Sequence, residues 1–347
     1  MIRFFALIAL APVVLIALGI WLGGWLPLVA LLYITLIAFA ADEGVSAIAP
    51  TADPEADFTW ANRLSVALAL AHFALLAGVV WALSHDSLRW SAKIPLFLAA
   101  ALFMGQVSNS NAHELIHRPK RGLFELGKWV YISLLFGHHT SAHIKVHHRY
   151  VASPRDPNSA REGEHFYRFA PRAWIGSFRA GYEIERADLA RARRRRIHPY
   201  LTYLVGAVGM LAIAAMIGGT GGVVAYLCLA GYAQMQLLLS DYVQHYGLQR
   251  AEIRPGKLEP VGPQHSWNAP HWFTTHMMLN APRHSDHHAR PACPYPALRL
   301  REQEAPMLPW SLPVMAVLAL IPPLWRRVMR RELRKWHEAH PRADPQP

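Results

Sequence analysis

FFALIALAPVVLIALGIWLG, residues 4–23, runs for 20 positions without a charged side chain. A helix needs roughly 20 apolar residues to cross the hydrocarbon core of a bilayer, so the stretch reads as a membrane span. A signal peptide is the competing reading, because Arg3 precedes the run. The run is too long for one, no A-x-A site closes it, and a second apolar block, 26–41, follows almost at once. Pro27 fits the first turn of that second helix, where its missing N–H costs nothing.

Beyond this pair, residues 42–61 are polar and carry Pro50 and Pro54, as a loop would. Residues 62–84 are apolar again. The next helix, 93–117, begins apolar (IPLFLAAALFMG, 94–105) and ends polar (NSNAHELIH, 109–117). Segment 123–137 is apolar but short and is interrupted by Lys128, which predicts a re-entrant or interfacial helix. Two further spans, 201–218 and 223–243, meet at the glycine-rich turn GGTGG. Residues 311–325 fall below spanning length and are expected at the membrane surface or packed on the bundle.

The expected fold is thus all-α: one integral membrane domain over 1–347, a bundle of about six transmembrane helices with a histidine-rich helical cap. Four spans occupy 1–117 and end in HELIH. A cytoplasmic segment covers 118–200, two spans fill 201–246, and a cytoplasmic cap completes 247–347. Arg and Lys crowd 118–200 and the tail (Arg326, Arg327, Arg330, Arg331, Arg334, Lys335), whereas 24–25, 84–92 and 218–222 carry only Arg89. The positive-inside rule then puts both termini in the cytoplasm, with the protein in the cytoplasmic membrane.

The net charge of +12 has its explanation in that topology and in anionic lipid, with no aromatic-interleaved basic motif to suggest nucleic acid. With 53% hydrophobic residues the chain is not disordered. Two cysteines, Cys228 and Cys293, neither in a C-x-x-C pair, exclude a disulfide-stapled domain, a zinc ribbon and an iron–sulfur cluster. The absence of an internal repeat argues against a transporter built of inverted halves.

Histidine is the anomaly: 20 residues, nearly the Asp plus Glu total of 23, and clustered. His113-Glu114-Leu115-Ile116-His117 places two imidazoles on one helical face, and as a lone HExxH string it suggests a zinc protease with Glu114 as base. In HIKVHH (143–148), α-helical spacing puts His143 and His147 on one face and sends His148 aside, toward a second metal. His284, His287 and His288 in HSDHH are expected on one side of a helix. His245 ends the last span in DYVQHYG, 241–247. Nine imidazoles exceed the four of a tetrahedral site and suit two metals with four or five each. Iron is favoured, because an all-imidazole shell with open positions can activate O2. A membrane setting points to a lipophilic C–H bond as the target. A zinc protease leaves seven of the nine unexplained, and a metal-storage protein remains as a non-enzymatic alternative.

HELIH, HxxxHH, HSDHH and the DYVQHYGL string, with VASPRDPNSAR (151–161) and RHSDHHARP (283–291), resemble the membrane alkane monooxygenases, relatives of xylene monooxygenase and of the membrane fatty acid desaturases. The resemblance covers roughly residues 100–300. It implies two non-haem irons held by His113, His117, His143, His147, His148, His245, His284, His287 and His288. It further implies O2 as co-substrate, terminal hydroxylation of alkyl chains, and electrons from rubredoxin and its reductase; methyl hydroxylation of alkyl-aromatics and acyl desaturation are the alternatives on the same architecture. SAHIKVHH lacks the acid and glycine usual in the second box, Gln244 stands where Glu is common, and Asp241 where Asn is common.

Glu114, Asp156 and Asp286 are candidates to orient a ligand through its second ring nitrogen. His138, His139, His265, His271 and His276 are expected to be structural. His72, in mid-span, should face the bundle interior or a cavity. With no flavin, haem or cysteine motif, the chain needs a separate electron carrier. The basic surface, Arg193 to Arg196 and the C-terminal helix, predicts an acidic one, rubredoxin or ferredoxin. The small-residue faces 67–79, 99–107 and 206–216 leave room for an apolar tunnel from lipid to the histidines, with Gly105 on its wall.

Overall fold

The computed structural model describes residues 2–45, 47–192 and 197–340. Among these the only strands are the two of a short hairpin, Glu252–Arg254 with Lys257–Leu258; the rest of the regular structure is helical. Five helices are long and apolar enough to cross a membrane: α1 (Arg3–Leu22), α2 (Leu26–Gly44), α3 (Thr59–Ser84), α4 (Trp90–Ile116) and a fifth of 47 residues, Pro199–His245.

The fifth is two spans. A straight helix of that length would measure about 70 Å at 1.5 Å per residue, yet both its ends lie at the same cap. Tyr203 near one end bonds Ser141 (2.8 Å), and His245 at the other lies beside His147. The chain reverses at Gly218 and Gly219, where helical geometry fails and Gly219 takes the left-handed φ of 56°. Gly222 then sits so close to the carbonyl of Ala214 that a Cβ there would be 2.3 Å from the oxygen. GGTGG is the turn of a helical hairpin, and the bundle has the six crossings the hydropathy predicts.

α4 positions the site. Its 27 residues span about 40 Å, more than a hydrocarbon core of roughly 30 Å, so its last turns reach beyond the core and carry HELIH. A π-helical turn, Met104–Ser108, interrupts it before that end. α5 (Arg121–Ser133) crosses beneath HELIH at Gly127, where a Cβ would meet Leu115 at 2.7 Å. The short helix thus packs under the cap, as its length suggested. α6 (residues 139–150) carries the second box and α7 (Phe166–Arg191) covers it. Beyond the hairpin span, short helices α8 (Trp272–Met277) and α9 (His284–Ala289) complete the cap. α10 (Leu312–Ala319) packs Leu312, Met315 and Ala319 onto the bundle and leaves Val317 exposed. α11 (Pro322–Ala339) buries Trp325, Met329 and Leu333 against the cap and turns its arginines outward.

The hairpin depends on glycine at 222. Gly222→Leu should drive a side chain into the Ala214 carbonyl and cost about 1–3 kcal/mol, as overpacking does. Gly231→Leu, which opens onto free space on the same element, should leave the melting temperature in detergent unchanged. Equal melting of the two variants would contradict the fold-back.

Candidate metal centre

Four segments bring the nine histidines to one place at the polar end of the bundle. They form two groups. His113, His117, His143, His148 and His287 make the first, and His147, His245, His284 and His288 the second. Within each, one ring nitrogen per residue lies within 4.8 Å of all the others. In the first group the Nε2 atoms of His113 and His143 are 2.7 Å apart, those of His143 and His148 3.0 Å, and those of His148 and His287 3.2 Å. In the second, Nε2 of His284 lies 3.0 Å from that of His245 and 3.1 Å from that of His288. Nitrogens bound at about 2.0–2.1 Å to one metal stand about 2.9 Å apart in octahedral and about 3.3 Å in tetrahedral geometry. The spacing is that of a ligand shell.

The division between the groups differs from what α-helical spacing predicts. His143–His147 is a π-helical turn, whose hydrogen bonds close one residue further along. Residues five apart, His143 and His148, therefore share a side, and His147 turns to the other group. The three histidines of HSDHH are likewise split. α9 runs between the groups, and adjacent residues point about 100° apart around a helix of 3.6 residues per turn. His287 joins the first group while His284 and His288 join the second.

Asp156 holds His147. Its Oδ2 lies 2.8 Å from Nδ1 of His147 and accepts from the Ser159 hydroxyl at 2.7 Å. That fixes the proton on Nδ1 and leaves Nε2 of His147 buried, without a protein partner, facing its group. Burial alone would pull the His147 pKa down and push that of Asp156 up; their contact reverses both. Burial, then the charge of His147, brings His117 down to about 4, and burial holds His143, His148, His284, His287 and His288 well below the usual range. Those rings are neutral at neutral pH and keep lone pairs for a cation. An orphaned buried nitrogen and a neutral, convergent donor set fit metal ions.

The other two carboxylates expected behind ligands do something else. Glu114 pairs with Arg118 and accepts from the Tyr295 backbone N–H (3.2 Å). Asp286 takes Arg290, Arg301 and the Arg299 backbone N–H (2.8 Å). Both tie the cap loops to the histidine helices, because arginines four residues on, at 118 and 290, capture them first. Two supports escaped the sequence reading. Asp241 accepts from Asn158 (2.6 Å), joining the DPNSAR loop to the last span; the polar pair flanking Pro157 was the available signal. Lys145, inside the π turn, bridges Glu185 and Asp188 on α7 at 2.7 Å each, and nothing in that arginine-rich helix marks Glu185 as buried.

His138, His139, His265, His271 and His276 lie outside both groups. His265 accepts from the Gly262 N–H, and Nδ1 of His276 bonds the Trp272 carbonyl. His72 faces the bundle interior, bonded to Ser133 at 2.8 Å. Arg193 to Arg196 lie outside the described residues.

A cavity of about 60 Å³ adjoins His113, His143 and His284. Gln106, Gln236, Pro313 and Ala316 on its wall also line a larger apolar groove of about 620 Å³ between α2, α4, the last span and α10.

A profile described as fatty acid desaturase matches residues 88–318. The chain belongs to the fatty acid desaturase family. Within it, this family member is 32% identical to alkane 1-monooxygenase 2 of Alcanivorax borkumensis over 71% of its own length and 65% of the relative's, just under two thirds. It is 33% identical to alkane 1-monooxygenase 1 of Pseudomonas aeruginosa over 78% of its length and 73% of the relative's. The hydroxylase component of a xylene/toluene monooxygenase from Pseudomonas putida is 28% identical over 70% of this chain and 65% of its own.

For this desaturase-family protein, Asp156→Asn should lower metal affinity by about 10–100-fold, the usual effect of losing such a support. Glu114→Gln and Asp286→Asn, which act on arginines, should leave metal content per folded chain unchanged. Elemental analysis after matched chelator challenge reads the difference; the same loss in all three would deny Asp156 its role.

Proposed function

We propose that the protein is an O2-dependent hydroxylase of the cytoplasmic membrane that converts the terminal methyl of a lipophilic alkyl chain to a primary alcohol at two histidine-held non-haem irons. One O2, two electrons and two protons are consumed; one oxygen atom enters the C–H bond and the other leaves as water. His113, His117, His143, His148 and His287 would hold one iron, and His147, His245, His284 and His288 the other. Bound there, the irons would supply O2 activation. The protein's own residues bind the chain, exclude water and keep the imidazoles neutral and aimed.

The observation that carries this reading is the wall that the apolar groove shares with the cavity at His113, His143 and His284. A chain entering from the lipid between α4, the last span and α10 would reach the histidines across that shared wall without crossing water. The walls come from spans two, four and six, together with α10.

Reducing O2 requires a carrier, since the two cysteines are free and far from a C-x-x-C arrangement. An acidic carrier, rubredoxin or ferredoxin with its reductase, suits the exposed Arg326, Arg327, Arg330, Arg331 and Arg334 of α11. Six crossings would bring α1's start and the cap to one side, and the arginine asymmetry supports the cytoplasm as that side.

Cells expressing the chain with a carrier and reductase, and fed mixed alkanes, toluene and terpenes, should form primary alcohols of linear chains by GC–MS. The purified protein should hold two irons per chain. One zinc and no iron would overturn the reading.

The neck between groove and cavity sets the length of chain accepted. Gly105 lies on the cavity wall, but a Cβ there would meet Gln236 at 2.5 Å, so enlarging it disturbs the helix crossing as well. Ala316, shared by groove and cavity, is the cleaner probe. Ala316→Trp should shift the product profile toward shorter chains, and an unchanged profile would place the route elsewhere.

A further inference from the structure

Four residues line both the groove and the cavity: Gln106, Gln236, Pro313 and Ala316. Two of these are carboxamides, on the wall that the groove and the cavity share. Gln106 is only 7% exposed, and its Oε1 has no hydrogen-bond partner. A buried carbonyl left unpaired is unfavourable, and such groups are nearly always satisfied. Three of its neighbours on the cavity wall are already engaged. Asn109 donates to the carbonyls of Gly105 and Ala233, Tyr131 donates to that of Asn109, and Ser240 donates to Gln244. Gln106 also sits in the middle of the π-helical turn Met104–Ser108, a distortion that is frequent at functional sites. Gln236 is packed beside it, since its side chain fills the space over Gly105.

We propose that Gln106 and Gln236 bind a hydroxyl group carried by the substrate at a distance from the methyl that is oxidised. This rests on the hydroxylase reading above and narrows its substrate class to alkyl chains bearing a remote alcohol. The chemistry selects a hydroxyl. The free Oε1 of Gln106 requires a donor, which an O–H supplies, while the same oxygen can accept from the Gln236 amide. An ether or ester oxygen can only accept and leaves Oε1 unpaired. A plain alkane satisfies neither group. Gln106 precedes His113 by seven residues on α4, about two helical turns, so the hydroxyl bound and the methyl oxidised are separate points on one chain and the product is a diol.

The test uses the full-length protein with its carrier and reductase. The probes are 1-octanol, its methyl ether and n-decane, which all present a methyl at the end of an alkyl chain. The alcohol is expected to be hydroxylated at its far methyl with kcat/KM at least tenfold above the ether and the alkane. Gln106→Leu should abolish that preference, bringing kcat/KM for the alcohol down to that for the ether in the same variant, and Gln106→Met, of matched length, should do the same. Equal kcat/KM for alcohol and ether, or a preference that survives both substitutions, would overturn the proposal. Binding is read separately, as the rise in melting temperature of the purified protein with each probe. A rise specific to the alcohol and lost in both variants, with no probe oxidised, would sink the hydroxylase reading and leave the hydroxyl site standing. No alcohol-specific rise would sink the site whatever the turnover.

Discussion

Nine buried or half-buried imidazoles must be held within ligand distance of one another in two adjoining groups, and the rest of the structure answers to that constraint. Ring nitrogens 2.7–3.2 Å apart cannot all be protonated, nor can their lone pairs face each other without a cation between them. The framework therefore has to hold the shell from outside. It does so by overhang: α4 outruns the hydrocarbon core and carries HELIH beyond it, and the last span delivers His245 to the same level. The cap loops are then tied down by charges, Glu114 on Arg118 and Asp286 on Arg290 and Arg301, all substantially shielded from water, where such pairs are least screened.

Much of this was legible in the sequence, because hydropathy and ligand spacing are local properties. The six crossings followed from apolar length, and the fold-back from GGTGG, whose glycines permit the left-handed turn at Gly219. The nine histidines singled out by spacing and resemblance converge into two groups. Their partition was not legible. A one-residue change in backbone hydrogen-bond register between His143 and His147 exchanges the destinations of His147 and His148, and nothing in the letters HIKVHH distinguishes a π turn from an α turn. The carboxylates show the same limit. Asp156 contacts a histidine ring nitrogen, whereas Glu114 and Asp286 pair with arginines at i+4, a competition that only the packed cap decides.

The buried Glu185 explains how an energetically poorer π turn can persist in α6. Lys145 lies within the turn, and its ammonium is held by Glu185 and Asp188, while Ser141, just before the turn, donates to Glu185 at 2.7 Å. α7 thereby grips the turn on both sides of His143. The partition of the histidines is thus fixed by a helix that contributes no ligand, and the tie between Asp241 and Asn158 does the equivalent for the loop carrying Asp156.

The same economy of register recurs where α4 carries its own π turn, which ends five residues before His113. An α-helix repeats its face every 3.6 residues, so a helix that lines an apolar route and also supplies a metal ligand must keep both on one side over several turns. Inserting a π turn re-phases the helix once, between the membrane segment and HELIH. Residues before Met104 then present Leu102 to the groove, and residues after Ser108 present Asn109, Ser110 and His113 to the cavity. Gln106 falls at the change of phase itself and faces both. The polar group at the neck is in this sense a consequence of joining two differently phased halves. That it is a carboxamide with an unpaired oxygen, where alanine or leucine would fill the space, is what makes the position chemical as well as geometric.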